Sequence, residues 1–116
     1  MDCLFCKIVK KEIPADIIYE DEEVIAFRDI HPIAPVHVLI IPKKHIESIQ
    51  DLTEKDAVLA GRLILTGKKV AEKLQTSEKG YKMLFRVGKW GGQEVEHIHL
   101  HIIGGAPLNE NIHPVL

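Results

Sequence analysis

A chain of 116 residues, 46% hydrophobic and 28% charged with a formal net charge of −2, has the make-up of one folded domain around a single core. The balanced charge and the lack of a sustained basic stripe exclude a dedicated nucleic-acid binder, and no run approaches the roughly 18 apolar residues that span a bilayer. The opening MDCLFCKIVKKEIP has neither the pattern nor the cleavage site of a secretory signal, so the expected location is the cytoplasm.

In that reducing setting the only two cysteines, Cys3 and Cys6, are not expected to form a structural disulfide. Their C-x-x-C spacing suits half of a zinc site or redox chemistry, and does not choose between them. Next comes IIYEDEEVIAFRD, two short apolar stretches around Asp21-Glu22-Glu23, which predicts a hairpin from about Ile17 to Asp29. HPIAP breaks the pattern, and VHVLII, residues 36–41, is β-rich and closed by Pro42, as expected of a buried strand with His37 and Leu39 on one face.

TEKDAVLAGRLILTGKKVAEKLQ predicts the one long helix, of about six turns, opening on Thr53 and Asp56 as an imperfect capping box. Leu59, Ala60, Leu63, Ile64, Gly67, Val70, Ala71 and Leu74 fall in one sector, the face expected to cover the sheet. Val58, Gly61 and Leu65 form a second, narrower apolar patch, which points to a homodimer; a monomeric sedimentation profile at micromolar concentration would remove that idea. YKMLFRV reads as a further strand, GKWGGQ as a glycine-rich loop, VEHIHLHII as the last strand, and 106–116 as an irregular tail. A mostly antiparallel sheet covered by a helix fits this order, and the fold class is α+β.

The last strand carries the chemistry. His97, His99 and His101, three of the seven histidines, alternate with Ile98, Leu100 and Ile102, so in a strand the imidazoles form a row on one face. Neighbours in such a row are roughly 6.6 Å apart at Cα, which lets one metal take two of them but strains a site using all three. The row is therefore expected to divide its labour. Neutral imidazoles serve as nucleophiles and as general acids or bases, which points to phosphate or acyl chemistry.

HIHLHII, together with CLFCKIVKKEIPADIIYEDEEVIAFRDIHPIAPVHVLIIPKKHI, KGY and GGQ, resembles the histidine triad family, in its branch of nucleotide-binding proteins and purine nucleoside phosphoramidases. The resemblance covers all but the tail. It implies a homodimeric histidine-triad fold of about five antiparallel strands, one long helix and a short N-terminal helix. It also implies a hydrolase acting on nucleoside 5′-phosphoramidates, typically adenylates. His99 would attack the α-phosphorus and carry the nucleotidyl group, and water would then release the nucleoside monophosphate.

By the same resemblance His101 and His37 hold phosphate oxygens, and the Gly91-Gly92-Gln93 loop completes the cradle with backbone amides and the Gln93 side chain, donors fixed where charge develops. Phe5, Ile8, Phe27, Ile30 and Leu39 would receive the base, while Asp29 would accept both ribose hydroxyls. Cys3, Cys6, His45 and His97 would bind a structural zinc as a closed tetrahedral set.

Two positions depart from the family's usual pattern. Glu94 stands where Ser is frequent, which removes the expected proton donor to a leaving amine, and Arg86 stands where Asn is common, which suits a more anionic ligand. Two further readings compete with the hydrolase: a nucleotide-binding regulatory protein with incidental catalysis, and a metalloenzyme whose triad holds a catalytic metal. The latter is disfavoured by strand spacing and by the lack of spare carboxylates nearby.

Overall fold

The computed structural model describes residues 3–115. Five strands form one antiparallel sheet: β1 (Ile17–Glu20), β2 (Val24–Arg28), β3 (Val36–Pro42), β4 (Lys82–Phe85) and β5 (Leu100–Gly104), in the order β1-β2-β3-β5-β4. Two helices pack on it, α1 (Leu4–Val9) and α2 (Ala57–Lys73). No helix among the described residues is long and apolar enough to cross a membrane.

The predicted hairpin is β1 and β2. Asp21 closes its turn by accepting from the backbone N–H groups of Glu23 (2.8 Å) and Val24 (2.9 Å), the side-chain mimicry of a turn that aspartate favours. The central strands are apolar on both faces because both faces are covered. Val24, Ala26, Val38, Ile40, Leu100 and Ile102 pack toward α2 with Leu63, Val70 and Ala71, while Ile25, Phe27, Leu39 and Ile41 pack toward α1 with Phe5 and Ile8. The period of two along β3 thus sends Val38 and Ile40 to one core and His37, Leu39 and Ile41 to the other.

Thr53 and Asp56 do form a capping box, but around a 3₁₀ turn (Glu54–Asp56) that leads into α2, so the α-helix is 17 residues long and shorter than its periodic pattern. Aspartate, one carbon shorter than glutamate, closes the tighter turn. Gly67 lets α2 approach closely: a Cβ there would stand 2.9 Å from Ile102 Cδ1 and from Met83 Cε. The buried sector is also rotated from the expected one. Ile64, at one edge, is exposed, and Thr66, at the other, is buried. Val58 and Leu65 are exposed at 76% and 60%, as the second patch requires.

The last strand differs most from expectation. Only Leu100–Gly104 pairs with β3 and β4, and residues 95–99 leave the sheet. The Ile98 N–H donates to the Ile46 carbonyl (2.7 Å), so this stretch is tied to the loop after β3 instead. The tail forms no helix or strand over 106–115 and lies along β4, where Lys82 Nζ donates to the Asn109 carbonyl (2.5 Å) and pairs with Glu110 (3.0 Å).

Candidate active site

On the α1 side of the sheet lies a cleft of about 640 Å³. Of the fourteen positions assigned to triad, phosphate and nucleoside roles above, twelve line it: Phe5, Ile8, Phe27, Asp29, Ile30, His37, Leu39, Arg86, Gly92, Glu94, His99 and His101. Phe5 comes from α1 because Phe5 and Ile8, three apart on one short helix, share the face that turns inward. Its ring meets Phe27 and His99 edge-on, with centroids 5.5 and 5.1 Å away. Ile13, Ala15, Ile33 and Val95 extend the apolar wall; scattered in loops, they carried no periodic signal.

The other two positions, Gly91 and Gln93, do not line the cleft. Gln93 Nε2 donates to the carbonyls of Glu47 (2.6 Å) and Val95 (3.0 Å), and its Oε1 accepts from the Gly88 N–H (3.0 Å). Its amide is spent on holding the loop. A Cβ on Gly91 would lie 2.3 Å from the Val87 carbonyl oxygen, so this glycine serves the loop's own close backbone approach. Gly92, at φ +82°, does reach the cleft and lies against the stem of Arg86.

Hydrogen bonds settle the protonation of each imidazole, because a carbonyl only accepts and a backbone N–H only donates. His99 Nδ1 is 2.7 Å from the His97 carbonyl, so it carries the proton and Nε2 holds a free lone pair. The Ile33 N–H donates to His37 Nδ1 (3.3 Å), which places the His37 proton on Nε2; that proton is donated to His101 Nδ1 (3.0 Å). His101 therefore bears its own proton on Nε2. Arg86 Nη1 stands 3.3 Å from that nitrogen, donor against donor.

Burial drives all three rings toward the neutral form. It lowers His37 despite Asp29 nearby, lowers His99 against the bond to the His97 carbonyl, and with the neighbouring His99, Arg86 and His37 pushes His101 down to about 3. At neutral pH the cleft thus offers one basic imidazole nitrogen, on His99, beside N–H donors from His101 and Arg86. Asp29, at the end of β2, accepts from the His31 N–H (2.8 Å) and sits 3.5 Å from His37 Nε2.

His97 turns away from the cleft. Its Nε2 donates to the Pro42 carbonyl (2.8 Å), leaving Nδ1 unprotonated and facing Cys3 Sγ (3.4 Å), Cys6 Sγ (3.6 Å) and His45 Nδ1 (3.2 Å). Cys6 Sγ lies 3.3 Å from His45 Nδ1, and all four donor atoms fall within 4.8 Å of one another. Tetrahedral bonds near 2.1 Å to nitrogen and 2.3 Å to sulfur imply donor separations of about 3.4–3.8 Å, and the separations of His97 from Cys3, Cys6 and His45, and of Cys6 from His45, lie within a few tenths of an ångström of that range. His97 thus stands apart from His99 and His101, in a cluster that draws Cys3 and Cys6 from the N-terminal segment and His45 from the loop after β3.

Asp29, His37 and His101 also place donor atoms within 4.8 Å, which supplies the carboxylate that sequence spacing did not reveal near the triad. A cation there would face the His37 Nε2–H and the Arg86 guanidinium, both positive ends of dipoles or charges, and the cluster is better matched to an anion.

A sheet of this order, with His99 and His101 running into β5 and His37 beside them on β3, defines a histidine triad protein. The chain belongs to the HIT domain family, whose pattern matches residues 10–108. It is 45% identical over 107 residues, 92% of this chain and 90% of the relative, to purine nucleoside phosphoramidase of Escherichia coli K12. Among solved structures it resembles a HIT family hydrolase from Legionella pneumophila (50% identity, 93% of this chain and 96% of that one, TM-score 0.91). A HIT family hydrolase from Clostridium thermocellum is as close in shape (46% identity, 97% of each chain, TM-score 0.92).

Proposed function

We propose that the protein hydrolyses nucleoside 5′-phosphoramidates or related nucleotide conjugates at the α-phosphorus, through a nucleotidyl group carried on His99. The observation that carries this reading is the fixed tautomer of His99: a buried, neutral imidazole whose Nδ1–H is held by the His97 carbonyl and whose Nε2 lone pair is free. In the first step Nε2 forms a bond to phosphorus as the bond to the leaving group breaks, and the electron pair departs with that group, which takes a proton from solvent at the open mouth. In the second, water attacks phosphorus, displaces His99 and loses a proton, giving the nucleoside monophosphate. The His101 Nε2–H, aimed at a phosphoryl oxygen, stabilises the charge that develops there. The slot formed by Phe5, Ile8, Phe27 and Leu39 receives the base, and Asp29 receives the ribose hydroxyls.

Cys3, Cys6, His45 and His97 would hold a structural zinc, which supplies a cross-link and takes no part in the reaction. The exposed Val58 and Leu65 on α2 support a homodimer, read out by sedimentation.

The test is the steady-state hydrolysis of adenosine 5′-phosphoramidate by the wild type and by His99→Ala. Wild-type turnover with a loss of about 10³-fold or more in the variant is expected. Equal rates would overturn the nucleophile assignment and favour a nucleotide-binding role.

A further inference from the structure

Across the sheet, polar groups follow one another in strand order. Asp29 at the end of β2 lies 3.5 Å from His37 on β3, His37 lies 3.0 Å from His101 on β5, and His101 lies 3.3 Å from Arg86, just beyond β4. On the reading above, the nucleoside occupies the Asp29 end and the α-phosphoryl group the two histidines. The next residue in the row, at the end opposite Asp29, is Arg86.

Arg86 is a charge without a counter-charge. Two arginines line the cleft. Arg28 pairs with Asp16 at 3.2 Å, whereas Arg86 makes no ion pair among the described residues and has only the His101 ring nitrogen beside it. Both of those nitrogens are donors, as the proton order from the Ile33 N–H through His37 to His101 requires. Two half-buried or buried donors 3.3 Å apart with no acceptor between them leave an oxygen wanting. The arginine's pose is built in: its stem lies against Gly92, where a Cβ would come within 3.3 Å of Arg86 Cδ and where φ is +82°. The carboxylates facing the cleft do not answer it, since Asp29 is engaged with His31 and His37 and Glu94 stands at the exposed rim outside ion-pair distance.

We propose that Arg86 is the specificity-determining residue of the leaving-group side, and that it selects nucleotide conjugates whose leaving group is itself anionic, bearing a carboxylate or a phosphoryl group. The guanidinium presents a planar fork that matches such groups in two parallel hydrogen bonds while His101 keeps the α-phosphoryl oxygen. The inference rests on the hydrolase reading.

A matched pair of probes separates the two claims: the adenosine 5′-phosphoramidate of β-alanine, with a free carboxylate, and that of β-alaninamide, neutral at the same place. The wild type is expected to favour the carboxylate by about tenfold or more in kcat/KM, the worth of one charge-assisted contact. That preference should shrink as salt is raised. In Arg86→Gln the ratio falls to about one whatever the absolute rates, and Arg86→Lys, which keeps the charge but not the fork, falls between. A wild-type ratio near one, or a ratio unchanged in Arg86→Gln, overturns the proposal. Turnover of neither probe by the wild type removes the hydrolase reading itself, and the assignment of Arg86 with it.

Discussion

Gly91 shows how one missing atom shapes the site. The loop from Gly88 to Gln93 folds back so tightly that a methyl group at position 91 would meet the Val87 carbonyl oxygen at 2.3 Å and the Val87 nitrogen at 2.8 Å. These are backbone atoms, which cannot rotate aside as a side-chain end can. Gly91→Ala is therefore expected to cost about 1–3 kcal/mol in urea denaturation, the usual range for overpacking. It should also lower kcat/KM, since Gly92, Glu94 and the stem of Arg86 move with the loop. A glycine pair in a sequence marks either a turn or a close approach to a ligand. Here Gly91 is the first and Gly92 borders the cleft, a division that depends on where each Cβ would point and is invisible in the letters. The same holds for Gln93, whose amide had to be seen bonded to Glu47 and Val95 before its role was clear.

At the scale of elements, the turn between β1 and β2 is tied to α2 through Asp21. Burial by itself would raise the Asp21 carboxyl, but the N–H groups of Glu23 and Val24, the Tyr19 hydroxyl and the Arg62 guanidinium outweigh it and hold the group at about 2. The folded value lies below the unfolded one of about 3.9, so the ionised carboxylate stabilises the fold above pH ~4, and this contribution fades as the pH falls toward 2. Asp21→Asn is expected to lose about 1–2 kcal/mol at pH 7, with the difference from the wild type closing by pH ~2, as chemical denaturation across that range would show. Both the hairpin and the helix were legible from local pattern, since alternation and the 3.6-residue period are properties of short stretches. The extent of the last strand was not. HIHLHII alternates throughout, yet only its second half pairs, because the bonds that remove 97–99 from the sheet run to Ile46 and Pro42, some fifty residues away.

In the whole molecule the four-residue cluster joins α1 to the far end of the chain. Cys3 and Cys6 stand at the N-terminal end, His97 lies 94 residues beyond Cys3, and the same His97 carbonyl orients His99. An ion there would close a loop of nearly the whole chain, where a cross-link gains most. Burial and the adjacent Cys3 thiol push the Cys6 thiol up, so without a cation Cys6 stays protonated and the link is lost. Strong chelation of zinc-loaded protein is expected to lower Tm by about 10 °C or more. Cys6→Ser should abolish stoichiometric zinc by metal analysis. Unchanged melting after complete metal removal would deny the cluster a structural role.

By itself the sequence determined the hairpin, the burial of VHVLII, the long helix with most of its apolar face and the chemical types in the triad. All of these follow from spacing along the backbone, which sets what faces what within a few residues. Only the tertiary structure decided which nitrogen of each cleft imidazole bears a proton, that residues 97–99 leave the sheet, that Gln93 holds a loop, and that Arg86 meets His101 without a counter-charge. Each of those depends on a partner brought close by packing across the sheet, and hydrogen-bonding geometry exists only once both partners are in place.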